Sequence, residues 1–202
     1  MTSASSSPTA VDFFFDPGCP FTWRTSRWIT EVADAGVATV TWRLMSLSVL
    51  NEGKDIPEQF RPLMVQSART LRVLAAVEDN HARARLFTAL GVHRHDNGED
   101  WDDTLLATAI AEAGLPAALI DAADDAGLDA TVKESHEESQ AAVGQESGSP
   151  VLRLGGANGK AWFGPVVVPV PTGDEALRLF DAVTLLADVP SFSELKGSRN
   201  QF

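Results

Sequence analysis

Val11-Asp12-Phe13-Phe14-Phe15-Asp16-Pro17-Gly18-Cys19-Pro20 (11–20) places an aromatic, β-branched run before a turn and then a Cys-Pro pair. The run from Val11 to Phe15 has the composition of a buried strand, and Asp16-Pro17-Gly18 has that of a turn. A helix is expected to begin near Cys19 or Pro20, because proline suits the first helical position. Trp28, Ile29 and Val32 then give that helix an apolar face, and Gly36 supplies its C-terminal stop. From Ala38 to Leu44 the sequence A-T-V-T-W-R-L alternates like a strand. The opening of the chain is thus β-α-β, within the length such a unit needs.

From Pro57 to about Gln145 no strand pattern occurs. Leu71, Val73, Leu74 and Val77 lie on helical spacing, as do Leu86, Phe87 and Leu90 before a stop at Gly91. Leu105, Leu106, Ala109 and Ile110 mark another helix closed by Gly114; Pro116 begins a short one, and Asp129 is expected to cap the last. Strand character returns at Pro150 to Leu154, and Ala161 to Phe163 is its hairpin partner across the Gly155–Gly159 turn. After Thr172-Gly173-Asp174 comes an amphipathic helix carrying Ala176, Leu177, Phe180 and Val183. The order β-α-β, helical block, β-β-α corresponds to an α/β, thioredoxin-like fold with a large all-helical insertion. The expected division is a loose tail at 1–10, a thioredoxin-like unit at 11–56 and 146–189, an insertion at 57–145 and a polar tail at 190–202.

The net charge of -12 is uneven. Residues 1–100 hold ten Lys/Arg against twelve Asp/Glu, whereas residues 101–202 hold six against sixteen. An acidic surface argues against nucleic acid or an anionic membrane as the main partner. No apolar window is long enough for a transmembrane helix. The first ten residues lack the basic start and apolar core of a secretory signal. With one cysteine the chain forms no internal disulfide and needs no oxidising compartment, so a cytoplasmic location is expected. Neither a Walker-type phosphate loop nor a dinucleotide glycine fingerprint is present.

An isolated cysteine is by default a small buried hydrophobe. The setting of Cys19 gives a chemical reading instead. Unpaired N–H groups and the helix dipole favour negative charge at a helix start, so the thiol pKa is expected to fall and the thiolate to act as nucleophile. Thr22 lies one turn along the same face, where its hydroxyl can donate to the sulfur. A dithiol enzyme would carry its resolving cysteine at that position. Here an outside thiol must resolve any mixed disulfide. Gly148-Ser149-Pro150 precedes a strand; thioredoxin-type folds place there a cis proline that faces the active cysteine.

These residues resemble the DsbA-like family that includes mycothiol-dependent nitroreductases. The resemblance rests on V-D-F-F-F-D-P-G-C-P-F-T-W-R-T-S-R-W (11–28), A-G-L-P-A-A-L (113–119), E-S-H-E-E-S (134–139), V-G-Q-E-S-G-S-P-V (143–151) and F-G-P-V-V-V-P-V-P-T-G-D-E-A-L-R-L-F-D (163–181). It implies a thioredoxin fold with a helical insertion, often a homodimer, and redox or thiol-transfer chemistry supported by a low-molecular-weight thiol such as mycothiol. By position it makes Cys19 the nucleophile and Pro150 the cis proline, with Trp23 and Asn51 in the pocket. Pro20, Phe21 and Ser149 flank the same site. Thr22 departs from the dithiol relatives, which puts dithiol oxidase activity in doubt.

Further candidates surround this centre. Arg24 and Arg27 could hold a carboxylate of a thiol cofactor or be plain surface charge. His136, in an acidic helical stretch, could face the cleft as a proton shuttle or simply pack. His93-Arg94-His95-Asp96 is a weak metal signal and reads as a solvated loop. Trp23, Trp28 and Trp42 belong to the core or a pocket wall. The leading expectation is a monothiol oxidoreductase acting on a small-molecule or protein disulfide or electrophile, with no tightly bound cofactor. One rival is a kappa-class glutathione-transferase-like or isomerase-like enzyme; the other is a binding module that kept the fold. A Cys19 pKa near or above the free value would favour the binding module.

Overall fold

A computed structural model describes residues 7–198. In chain order the elements are β1 (Thr9–Phe15), α1 (Pro20–Asp34), β2 (Ala38–Leu44), α2 (Leu47–Leu50), α3 (Arg61–Ala75), α4 (Asn80–Gly91), α5 (Asp103–Glu112), α6 (Asp129–Val143), β3 (Val151–Leu154), β4 (Lys160–Phe163) and α7 (Asp174–Ala187). Short 3-10 turns join several of the helices, and a π-helical segment, Val92–Asp96, extends α4. Parts of the tails expected at 1–10 and 190–202 lie outside the described residues. Thr9 and Ala10 are strand rather than tail, because pairing to Ala38 and Thr39 lengthens β1 by two residues.

The strands form one sheet in the order β2-β1-β3-β4. β1 runs parallel to β2 and antiparallel to β3, and β4 is antiparallel to β3. Register puts Phe13 beside both Trp42 and Leu152. Alternation then sorts the side chains between two faces. Val11, Phe13, Phe15, Trp42 and Leu152 enter the main core with Trp28 and Ile29 of α1. Phe14, Met45, Val151 and Ala161 form a smaller cluster on the opposite face against Ala142 and Val143 of α6. Full burial of each such aromatic is worth about 1.5–3 kcal/mol.

The helical block shares the main core. Phe15 stacks on Phe87 of α4 at 4.1 Å between ring centres, and the apolar cluster continues through Leu71 and Leu86 to Leu105 and Ile110. Side chains from the block also close the outer edge of β2. Asn80 accepts from Trp42 N–H and donates to Val40 C=O, while Arg83 donates to Trp42 C=O. The Ser135 hydroxyl accepts from Leu44 N–H and donates to Leu44 C=O. An unpaired edge that would otherwise template strand addition is thereby satisfied.

Two local expectations are corrected. Gly91 does not stop α4, for its backbone is helical and the chain winds on as the π-helical segment. Its missing Cβ matters for another reason, since a Cβ there would lie 2.1 Å from the Trp23 ring. Asp129 sits inside the first turn of α6, paired through both oxygens with Arg72; α6 begins after Leu128 with no side-chain cap, and Asp125 caps the preceding 3-10 turn instead.

Candidate active site

The β1–α1 turn is built around Asp16. Its carboxylate accepts from Gly18 N–H (2.7 Å), from the Ser67 hydroxyl of α3 (2.6 Å) and from Leu47 N–H at the start of α2 (2.7 Å). One buried side chain therefore fixes the turn to two other elements. Burial pushes the Asp16 carboxyl up, and the hydrogen bonds from Ser67, Leu47 and Gly18 act against that rise. Gly18 is needed on steric grounds, because a Cβ there would approach the Trp101 ring to 2.9 Å. Cys19 N–H closes the turn on Asp16 C=O (3.1 Å).

Cys19 then takes the N-cap position of α1 in an extended conformation, with Pro20 opening the helix. The residue is 7% exposed. Its Sγ donates to Ser149 C=O at 3.4 Å, so the thiol meets the loop that carries Pro150. The Ser149–Pro150 peptide bond is cis. Thr22, fully buried, shares a 2.6 Å hydrogen bond with the Ser149 hydroxyl, which also accepts from Asp16 N–H at 3.0 Å. Cys19, Thr22, Ser149 and Pro150 thus come together as the spacing suggested.

The expected fall in the Cys19 pKa is not what the structure gives. Burial pushes the thiol up, and Asp16 adds to that rise. The Thr22 hydroxyl and the N–H groups of Thr22 and Phe21 pull in the opposite direction, without forming a capping hydrogen bond. Loss of water around the sulfur outweighs the helix start. At rest the group is a thiol beside a carbonyl oxygen, with donors placed to receive its anion.

The remaining candidates divide. Trp23 is buried against Phe87 and beside His95, and its indole N–H donates to Asp96 at 2.8 Å. Arg27 lies over the Trp23 ring at 4.1 Å and donates to Thr88; burial pushes it down to about 10. Arg24 and Phe21 are half-buried on the same helix, and Pro20 is exposed. Asn51 ends α2, its amide donating to Leu47 C=O, so it shapes the turn that Asp16 also holds. His136 is joined instead to the loop after β2, where its Nδ1 accepts from Ser46 N–H at 3.4 Å. Burial lowers its pKa, and it serves as a packing joint between α6 and Ser46.

The stretch read as a solvated loop is the largest correction. His93 bonds Glu99 and Glu112, whereas His95 Nε2 donates to Pro17 C=O at 2.9 Å, directly behind the cysteine turn. Asp96 receives the Trp23 indole. The π-helical segment is therefore a wall of the site, as such irregularities often are. Among the described residues no group of three His, Cys, Asp or Glu is arranged to hold a metal ion. Asp16, Ser67 and Trp101, which border the cysteine turn, are not singled out by the sequence, and His95 enters there only as a weak metal candidate. A His-rich stretch was the available signal for His95, and none existed for Trp101.

Residues 18–197 match the family described as Rv2466c-like, mycothiol-dependent nitroreductase Rv2466c. The chain belongs to that family. A Mycobacterium tuberculosis (strain ATCC 25618 / H37Rv) relative of this Rv2466c-like chain, named Uncharacterized protein Rv2286c, is 35% identical over 197 residues, which cover 95% of this chain and 83% of that protein. Among solved structures, a probable DsbA oxidoreductase from Streptomyces coelicolor superposes with a TM-score of 0.61 at 17% identity, covering 94% of each chain. The cytosolic disulfide reductase DsbM from Pseudomonas aeruginosa, solved with GSH, gives 0.59 at 15% identity over 87% of this chain and 98% of that one. At those identities the structures establish the DsbA-like thioredoxin fold of the Rv2466c-like chain.

Proposed function

We propose that this chain is a monothiol oxidoreductase whose Cys19 exchanges with small disulfides and is regenerated by an external low-molecular-weight thiol, mycothiol by the family's description. The observation that carries the reading is the single cysteine at the start of α1, in contact with the Ser149–Pro150 loop, with a threonine where a resolving thiol would stand. In the first step the Cys19 thiolate attacks one sulfur of the substrate, forming a mixed disulfide and expelling the other sulfur as thiolate. In the second, mycothiol thiolate attacks the substrate sulfur of that mixed disulfide, releasing the Cys19 thiolate and a substrate–mycothiol disulfide. Each step breaks one S–S bond and forms one, so no further oxidant or reductant is required.

Burial of both Cys19 and Ser149 favours a small substrate over an extended polypeptide laid along the loop. The transferase-like alternative would bind and activate a thiol near Cys19 or Thr22 without net redox change; burial of both residues leaves little room for a second sulfur there. The binding-module alternative is served by the raised Cys19 pKa; against it stand the donors gathered around the sulfur. The setting we propose is the reducing cytoplasm, with the chain acting as a homodimer.

Reduction of a small aromatic disulfide, followed by absorbance with mycothiol as the sole reductant, tests this function. Wild-type protein should accelerate the reaction over the thiol alone, and Cys19→Ser should return it to that background while melting at an unchanged temperature. Equal rates for the two proteins would refute the reading.

A further inference from the structure

Thr22 and Ser149 hold a hydrogen bond that either hydroxyl can donate. That freedom has a consequence. Ser149 Oγ is anchored at its far side by Asp16 N–H, which can only donate. In the thiol state Cys19 Sγ–H points to Ser149 C=O, leaving the sulfur no need of a donor. Once the thiol ionises, the carbonyl contact turns unfavourable and the anion needs a donor. If Thr22 turns its proton to the sulfur it no longer donates to Ser149, and the 2.6 Å bond between the two hydroxyls is kept only with Ser149 as its donor.

We propose that Thr22 and Ser149 form a two-hydroxyl relay, fixed by the Asp16 N–H, that reverses its donor direction toward Cys19 Sγ when the thiol ionises. In the resulting chain Asp16 N–H donates to Ser149 Oγ, Ser149 Oγ–H to Thr22 Oγ1, and Thr22 Oγ1–H to the sulfur. Ser149 then acts as a positioning residue through Thr22, besides holding the loop. The effect of the Thr22 hydroxyl on the thiol, opposing burial, supports the first link. Both residues are at most 5% exposed, so water is a poor substitute. The titratable groups that bear on the turn are the Asp16 carboxyl, which acts on the sulfur, and His95 of the π-helical segment, which meets Pro17. Neither is a member of the relay.

This inference rests on Cys19 being the working nucleophile, but its test needs no turnover. Because the chain has one cysteine, the rate of alkylation by iodoacetamide reads that thiol alone, and its profile from neutral to alkaline pH gives the apparent pKa. Thr22→Val and Ser149→Ala should each raise that pKa by about one, a roughly tenfold lower thiolate fraction at neutral pH. The double variant should shift no further than Thr22→Val, and Thr22→Ser should restore the wild-type profile. Circular dichroism checks folding, and Thr22→Ala replaces Thr22→Val if the latter does not fold. A Ser149→Ala profile identical to wild type, or shifts that add in the double variant, would overturn the relay. Absence of alkylation in the wild type at any pH would instead overturn the nucleophile itself.

Discussion

Cys19 and Asp16 share one electrostatic problem, since each is an acid whose ionised form has lost most of its water. The sign of the effect on stability follows from linkage. Each group has a folded pKa above its unfolded one, so the folded protein keeps that proton longer as pH rises. For Cys19 the stabilisation is fully present below the ordinary value of 9.0 and is lost as pH climbs through the folded value. For Asp16 the corresponding limit is 3.8. Urea melts on either side of pH 9 should show wild type losing more stability toward alkaline pH than Cys19→Ser, and parallel losses would contradict the buried-thiol assignment. His95 makes a separate case. Its bond to Pro17 C=O is the direct tie between the π-helical segment and the cysteine turn. His95→Phe keeps a ring beside Trp23 but drops that bond, and should cost about 1 kcal/mol with a changed Cys19 alkylation rate. A change in stability alone would make His95 a packing residue.

The elements show why some of this was legible and some was not. β1, α1 and β2 could be read because period-2 and helical patterns, Pro20 and Gly36 are local signals, and the three elements lie where those signals put them except that β1 starts two residues earlier. The hairpin and α7 were legible for the same reason. The π-helical segment was not, because its geometry answers to a distant demand. Trp23 fills the space beside Gly91, and His95 and Asp96 reach across to Pro17 and Trp23. Such contacts leave no periodicity in the sequence. Gly91→Ala should therefore cost at least 1–3 kcal/mol in a denaturant melt, although alanine is the better helix former. A gain in stability would show that Trp23 is not seated there. Closure of the β2 edge was equally invisible. Asn80→Ala strands Trp42 N–H and Val40 C=O, and a loss of about 1–3 kcal/mol is expected.

At the scale of the whole molecule, two faces of one sheet do different work. The α1 face carries the shared core and the cysteine turn, whereas the α6 face holds a charge network. Arg153, 4% exposed, donates twice to Asp12 and once to Glu138, and Arg43 contacts the same two carboxylates. Removing one member leaves buried charge without its partner. Arg153→Met should destabilise by about 3 kcal/mol, and a neutral outcome in thermal melts would show that the network is dispensable. Alternation in V-D-F-F-F placed Asp12 opposite Phe13, but Arg153 and Glu138 lie far from it in sequence, so the network could not be read. The place of Cys19 at the start of α1, beside the Ser149–Pro150 loop, was legible from the sequence, while the direction of its pKa depended on burial that no local pattern reports.

Whether Cys19 is a working thiol is settled most directly by intact-protein mass spectrometry after exposure to mycothiol disulfide at neutral pH. One added mycothiol on wild-type protein, located on Cys19 and removed by excess mycothiol, is the expected result. Unmodified wild-type protein, while a small-molecule thiol reacts under the same conditions, would contradict it and leave a fold without that chemistry.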